Sequence, residues 1–122
     1  QPSTSELSGQ ATAQRTLDLI TDSLESSKAV EIVPINIQGK SALADYMVVA
    51  SGSSHRHVNA VADHVLRALK ANGQGTSRVE GLSNADWVLI DAGDVIIHIF
   101  RPEVREFYQL EKIWSEDIDT VH

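Results

Sequence analysis

The sequence contains no cysteine among its 122 residues. Disulfide bonds, thiolate nucleophiles and cysteine-ligated metal sites are therefore excluded within this chain. Long apolar runs are also missing, because the longest, such as residues 47–50, fall far short of the ~20 residues that a membrane-spanning helix needs. With 42% hydrophobic residues, the composition is that of a globular protein and indicates neither disorder nor membrane insertion.

The N-terminal segment lacks two further signals. Its first 14 residues have neither the apolar run of a secretory signal nor the arginines of a transit peptide. A cytosolic location is therefore expected, with a mature organellar protein as the alternative. Residues 1–10 are predicted to be a flexible tail.

Basic residues are scarce in this chain. Ten Lys and Arg stand against seventeen Asp and Glu, which gives a net charge of −7. Proteins bind a phosphate backbone through Lys and Arg that displace its counterions, and no basic run occurs here. Direct binding to bare nucleic acid is therefore disfavoured. If the protein acts on a ribonucleoprotein, we expect it to contact a basic protein component rather than RNA.

Hydrophobic periodicity predicts a single domain of mixed α/β (α+β) class. Apolar residues at helical spacing indicate helices over residues 13–25 and 58–69, the second ended by Asn72 and Gly73, and a third helix from Pro102. The predicted strands are residues 30–37, residues 46–50, a short segment around Val79, residues 87–90 and residues 95–100.

The first predicted strand is irregular. Val30 and Ile32 have one parity, whereas Val33 and Ile35 have the other. A bulge or an edge position near Pro34 would reconcile the two faces, because proline cannot donate to a strand ladder.

Two connections predict the sheet topology. The strand–helix–strand unit around residues 58–69 should cross over right-handed and pair in parallel. The glycine-containing turn at residues 91–94 should join two antiparallel strands. We therefore expect a mixed sheet packed with helices.

The junction before the second helix is a candidate anion-binding site. Gly52, Ser53 and Ser54 precede a helix whose free amides and dipole favour negative charge, and Arg56 lies in its first turn. The simpler alternative is that Ser53 or Ser54 caps the helix and Gly52 permits the tight turn. No glycine-rich nucleotide-binding motif occurs, so nucleotide binding has weak support.

Catalysis is not expected. Nucleotidyltransferases use a similar Gly-Ser turn, but they also need two or three carboxylates on one strand face to bind magnesium. Asp86 and Asp91 have opposite parity, while Asp91 and Asp94 flank the hairpin turn. We therefore predict no catalytic residue, no metal site and no cofactor.

The histidines leave alternatives open. His55 and His57 could ligate a metal, but helix residues two positions apart point to different faces, so hydrogen-bonded or capping roles are favoured. His98 lies between Ile97 and Ile99 in a strand and faces away from them. It is either exposed to solvent or paired with an acid.

Aromatic and charged residues gather at the hairpin strands and the last helix. Trp, Tyr and Arg are the residue types that most often anchor protein interfaces. Core packing is the alternative for each aromatic residue. We predict a partner-binding surface formed by Asp86, Trp87, Asp91, Asp94, Arg105, Tyr108, Glu111 and Trp114.

Several blocks of sequence stand out between about Ala13 and Ser115. They are residues 44–46 (ADY), 48–52 (VVASG), 54–58 (SHRHV), 62–65 (ADHV), 79–81 (VEG), 85–91 (ADWVLID), 93–98 (GDVIIH) and the pattern REFY-x-LE-x-x-W from Arg105 to Trp114. Together they resemble the ribosome silencing factor (Iojap-like) family over nearly the whole chain. The resemblance assigns residues 11–115 to that domain and leaves residues 116–122 as an acidic tail.

The resemblance implies a fold related to nucleotidyltransferases without their catalytic acids. It also implies an inhibitor of translation under nutrient limitation. Such a protein would bind large-subunit ribosomal protein fourteen on the subunit-joining face of the large ribosomal subunit and exclude the small subunit. A homodimer in isolation is a further expectation from the family.

Overall fold

The computed structural model describes the backbone of residues 4–73 and 78–108, with side chains over residues 12–73 and 78–105. The elements follow one another in the order that the periodicity predicts. They are α1 (Thr4–Ser26), β1 (Val30–Asn36), β2 (Tyr46–Ser51), α2 (His55–Ala71), β3 (Arg78–Glu80), β4 (Trp87–Asp91), β5 (Val95–Phe100) and α3 (Pro102–Tyr108).

The five strands form one mixed sheet in the order β1-β2-β5-β4-β3. β2 and β5 lie at its centre as parallel neighbours, and the other neighbouring strands are antiparallel. Both central strands are almost wholly buried, which explains why their sequences are continuous apolar runs. The predicted mixed α/β fold is confirmed.

The predicted parallel pairing of the strand–helix–strand unit was wrong. α2 leads from β2 to β3, but β3 lies at the sheet edge and pairs with β4, whereas the parallel partner of β2 is β5. The physical reason is length and burial. β3 has three residues, two of them exposed, and cannot fill a central position.

α1 and α2 pack on one side of the sheet, which we call the helix-covered face. α1 and α2 bury their apolar stripes there against the strand residues of one parity. The core of this face includes Ile20, Leu24, Val58, Val61, Val65, Val48, Ile90, Ile97 and Ile99.

The opposite side of the sheet, which we call the outer face, carries the strand residues of the other parity. On β4 and β5 these are Trp87, Leu89, Asp91, Ile96, His98 and Phe100. A second core covers one end of this face and includes Ile35, Ile37, Met47, Val49 and Phe100, with Val104 of α3 against it. Leu89 and Ile96 are only half-buried. Among the described residues, the outer face is therefore better covered at one end than at the other.

The irregularity of β1 lies at Glu31. The pairing of β1 with β2 shifts register between Val30 and Val33, and Glu31 adopts a φ of 51°. Pro34 stays in register with Val48. The edge position of the strand is thus confirmed, but the bulge precedes the proline instead of coinciding with it.

α1 begins earlier than its apolar stripe predicts. The stripe starts at Ala13, whereas the helix starts at Thr4, so residues 4–10 are helical where we expected a flexible tail. Residues 1–3 lie outside the described residues. Polar residues are compatible with a helix but do not signal one, which is why periodicity missed these turns. In the stretches that the structure describes, no helix is both long and apolar enough to cross a membrane.

Candidate partner-binding face

Trp87 opens β4 on the outer face and is half-buried. Its indole packs on the cross-strand neighbour Phe100, with ring centroids 5.0 Å apart. Its Nε1–H donates a hydrogen bond of 2.9 Å to Nδ1 of His98. Two contacts therefore fix the ring while part of it stays accessible. A large, rigid and partly exposed aromatic side chain is well suited to anchor a protein interface.

His98 is the buried acceptor behind this tryptophan. Its side chain lies on the outer face, and the residue is only 8% exposed. Burial lowers its pKa to about 4, because the charged ring would lose hydration. At neutral pH the ring is therefore uncharged, and since Nδ1 accepts the indole proton, the ring hydrogen lies on Nε2.

The structure corrects both alternatives offered for His98. The residue is buried, and among the described residues its side-chain partner is the indole of Trp87, not an acid. Leu89 lies directly opposite His98 in the ladder, and Trp87 is its diagonal neighbour on the same face. Diagonal pairs of large side chains are within reach in antiparallel sheets, so the hairpin register could have identified this contact.

Asp86 connects three elements at the same end of the sheet. Its Oδ1 accepts a 2.7 Å hydrogen bond from Nε of Arg101 and lies 2.8 Å from Nε2 of His55. The hydrogen bonds from Arg101 and then His55 lower the pKa of the Asp86 carboxyl group. Asp86 therefore ties the start of α2 to the strand ends, and its predicted contact with a partner stays a prediction.

Arg105 is a structural residue, which corrects its assignment to the partner surface. It is 5% exposed, and its Nη1 donates to the Glu31 carbonyl at 2.7 Å and to Ser51 Oγ at 2.9 Å. That carbonyl belongs to the irregular stretch of β1 between Val30 and Val33. Arg105 thereby fastens α3 to β1 and β2, because a buried cation needs such acceptors.

The two hairpin acids differ in their surroundings. Asp91 is half-buried, and its Oδ1 accepts the Gly93 amide at 2.9 Å, which is the turn-forming role of an aspartate. The side chain of Asp94 is exposed, while its carbonyl accepts from the amides of Asp45 and Tyr46. Asp94 is therefore the more available of the two carboxylates.

Three of the predicted partner residues have side chains outside the described residues. α3 reaches Tyr108, but the Tyr108 side chain lies outside the described residues, as do Glu111 and Trp114. Their role in partner binding stays a prediction.

The candidate anion site is largely occupied by internal hydrogen bonds. Ser54 caps α2 by accepting the His57 amide at 3.1 Å, which is the simpler of the two alternatives. The Gly52 amide donates to the Phe100 carbonyl, and the Ser53 amide to Nδ1 of His57. Three amides of this turn are thus already bonded within the protein.

Contacts with neighbouring elements explain why Gly52 and His57 occupy this turn. A Cβ on Gly52 would lie 2.8 Å from Cγ2 of Val58, so glycine lets α2 approach the strand end closely. His57 Nε2 bonds the Ser27 carbonyl at 3.0 Å and joins the end of α1 to the start of α2. Arg56 is exposed on the first turn of α2.

A groove that the sequence did not indicate lies on the outer face beside the hairpin. It has a volume of about 300 Å³ and is lined by Leu43, Arg78, Glu80, Leu89, Asp91 and Ile96. Leu43 is 78% exposed, the highest value among the described large hydrophobic residues. Leu89 and Ile96 resemble ordinary core residues in sequence, and Leu43 belongs to no periodic element, so periodicity could not single them out.

Comparison with known proteins identifies the family. Residues 10–122 match the sequence model described as "Ribosomal silencing factor during starvation", and this match spans most of the chain. The chain belongs to the ribosomal silencing factor family. The resemblance carried by the sequence blocks is thereby confirmed.

Three relatives extend this assignment. A ribosomal silencing factor of Zymomonas mobilis is 56% identical over 99 residues, which are 81% of this chain and 74% of that protein. A crystal structure of a Chromobacterium violaceum protein superimposes with a TM-score of 0.82 at 36% identity, covering 85% of this chain and 87% of that one. The mouse protein named "Mitochondrial assembly of ribosomal large subunit protein 1" is 32% identical over 102 residues, 81% of this chain and 45% of its own.

The family gives the outer face a context. Ribosomal silencing factors are regulators of translation associated with the ribosome. A ribosomal silencing factor therefore needs a surface for a macromolecule more than a pocket for a substrate. Among the described residues, the outer face around Trp87 is the best candidate for that surface.

Proposed function

We propose that the chain binds the large ribosomal subunit through large-subunit ribosomal protein fourteen, blocks joining of the small subunit and represses translation under nutrient limitation, without catalysing a reaction. The observation that carries this proposal is Trp87, held on the outer face by Phe100 and His98. Because its orientation is fixed before binding, little side-chain entropy is lost when a partner covers it.

The charge of the chain supports a protein rather than RNA as the contact. A net charge of −7 opposes general attraction to ribosomal phosphate. A local basic patch on a ribosomal protein would instead attract the exposed Asp94 and its acidic neighbours and would help to set the orientation of docking. Salt should therefore slow association, because exposed charges are screened over about 8 to 10 Å.

The relatives support the choice of subunit. The name of the mouse relative refers to assembly of the ribosomal large subunit, and the family description refers to silencing during starvation. Extended to this chain, these names favour the large subunit and a role under nutrient limitation.

A steric mechanism needs only the size of the domain. A folded chain of 122 residues has a radius of gyration of about 14 Å, so its body is roughly 35 Å across. Seated on the subunit-joining face, a body of this size would hold the two subunits far beyond contact distance. No chemical step is required, which agrees with the predicted absence of catalytic residues.

The alternative of a degenerate nucleotidyltransferase has less support. Its remaining feature is the turn at Gly52 and Ser53, whose amides are bonded to Phe100 and His57. Calorimetry with magnesium and nucleoside triphosphate should detect no micromolar binding. Tight binding that is lost in Ser53→Ala would favour the enzyme instead.

Sedimentation with separated ribosomal subunits tests the proposal. In sucrose gradients the chain should migrate with the large subunit and not with the small one, and it should reduce formation of joined ribosomes. Comigration with small subunits alone, or joining at the normal level with the chain bound, would contradict it. Sedimentation of the free chain would test the expected homodimer.

A further inference from the structure

The groove beside the hairpin combines two kinds of surface. Leu43, Leu89 and Ile96 supply apolar walls, and Glu80, Asp91 and Arg78 supply charge. The exposure of the Leu43 side chain is energetically unfavourable, because most of its apolar surface is in contact with water. An exposed leucine beside two half-buried aliphatic residues gives the groove an apolar wall that is accessible to the side chain of a partner.

The groove is continuous with the surface around Trp87. Trp87, Leu89 and Asp91 alternate along β4 and share the outer face, and Leu89 lies opposite His98 in the ladder. A partner seated on Trp87 would therefore meet the groove two to four residues farther along the same strand.

The carboxylates outnumber the cation at the rim. Glu80 is exposed, and Asp91 offers a carboxylate of which one oxygen accepts the Gly93 amide. Arg78 lies opposite Asp91 in the ladder. Within the described residues, neither Arg78 nor Glu80 forms an ion pair, so both remain available to a partner.

We infer that this groove accepts a lysine or arginine side chain of the ribosomal protein, with its methylene stem against Leu43, Leu89 and Ile96 and its cationic head at Glu80 and Asp91. This inference rests on the proposed function, since it gives the contact chemistry of the same face. Long basic side chains bury their stems on apolar surface and keep the charged head at a polar rim. Neither a phosphate group nor a purely apolar side chain would use both kinds of wall.

Because Arg78 and Glu80 carry opposite charges, substitutions at the two positions can determine the charge of the group that binds in the groove. A cation in the groove is attracted by Glu80 and repelled by Arg78. Removing each charge by a substitution of similar size should therefore change affinity in opposite directions. An RNA phosphate in the same place would reverse both effects.

The first test measures binding of dye-labelled full-length chain to purified large ribosomal subunits at fixed salt. Glu80→Gln should weaken binding about two- to fivefold, and Arg78→Gln should strengthen it by a similar factor. Asp63 and Arg67 form an exposed ion pair on α2, with 2.9 Å between Oδ2 and Nε, and provide matched controls. Asp63→Asn and Arg67→Gln change the net charge equally but should leave affinity unchanged.

The second test addresses the apolar walls. Leu43→Ser should weaken binding about tenfold without unfolding the chain, because the side chain has little contact to lose within the protein. Val30 is 48% exposed at the opposite edge of the sheet, in β1, and Val30→Ser is the matched control. That variant should bind normally.

Each outcome has a defined meaning. Reversed signs for Glu80→Gln and Arg78→Gln, no change in either, or equal changes in the α2 controls would overturn the inference. If Trp87→Ala abolishes binding while the groove variants bind normally, the inference fails and the proposed function stands. If the unmodified chain does not bind large subunits, both fail.

Discussion

The two faces of the sheet bury different kinds of side chain. Under α1 and α2, the buried strand residues are all aliphatic, as Val48, Ile90 and Ile97 illustrate. On the helix-covered face the buried polar residues, Thr16 and Ser23, belong to α1 and not to the strands. On the outer face the strands also bury the polar residues Ser51 and His98, and α3 adds Arg105; each of the three has a hydrogen-bond partner inside the protein. Half-buried Trp87 and Leu89 lie beside them.

This contrast separates stability from recognition. Aliphatic packing needs no particular partner and contributes most of the free energy of folding. Buried polar groups are costly unless their hydrogen bonds are made, so they fix specific geometries instead. In this protein they hold α3 and the Trp87 ring in place. Substitutions in the aliphatic core should therefore mainly lower the free energy of unfolding, whereas substitutions of the buried polar groups should also change the local geometry of α3 and Trp87.

The largest effect on stability is expected on the helix-covered face. Ile97 is completely buried beneath the helices, and Ile97→Ala would leave a cavity in that core. The free energy of unfolding should fall by about 3 to 4 kcal/mol. Urea denaturation followed by circular dichroism measures it. A loss comparable to that of an exposed control such as Ala60→Gly would contradict the assignment of the main core.

Acid should destabilise the outer face through His98. In the unfolded chain the ring binds a proton below about pH 6.5, whereas in the folded chain burial holds its pKa near 4. Protons thus favour the unfolded state between these values. The contribution is complete above pH 6.5 and is lost by about pH 4, roughly 3 kcal/mol in total.

The control for this prediction is His98→Gln, which removes the titrating ring and can keep an acceptor for the indole. Its free energy of unfolding should vary less with pH between 6.5 and 4 than that of the unmodified chain. The Asp86 carboxyl has a lowered pKa and loses its contribution only below its usual value of 3.8, outside this window. Identical pH profiles for the two chains would show that His98 is not buried as described.

A smaller loss is expected from Arg105→Met. Methionine keeps most of the apolar stem but leaves the Glu31 carbonyl and Ser51 Oγ without their donor. The free energy of unfolding should fall by about 2 kcal/mol. Arg56→Met, at an exposed position, should change it little. Equal stability of the two variants would return Arg105 to the list of partner residues.

Local patterns predicted most of the fold. The apolar stripe of α2, its end at Asn72 and the hairpin between β4 and β5 are each encoded within a few residues, and all three are present. The exposed edge position of β1 followed from Pro34. The wrong prediction concerns pairing between strands that are distant in sequence. β2 pairs with β5 and not with β3, because the central position requires a buried strand, and burial cannot be read from a few neighbouring residues.

The site was harder to predict for the same reason. Arg105 bonds a carbonyl 74 residues away, at a bulge whose position the sequence did not fix. His98 and Trp87 meet only once the hairpin register is known. Trp87 was selected as a candidate because its residue type is informative by itself, and its contact with a partner stays a prediction. The apolar groove residues Leu43, Leu89 and Ile96 were missed because leucine and isoleucine are ordinary core residues until their exposure is measured, whereas Asp91 was already among the predicted partner residues.

The most direct test of the central claim compares one variant from each face in binding to purified large ribosomal subunits. Trp87→Ala removes the outer-face anchor, whereas Ile97→Val slightly weakens the helix-covered core, and circular dichroism first establishes that both are folded. We expect at least about tenfold weaker binding for Trp87→Ala and an unchanged affinity for Ile97→Val. Normal binding by folded Trp87→Ala, or an equal loss in Ile97→Val, would contradict the account.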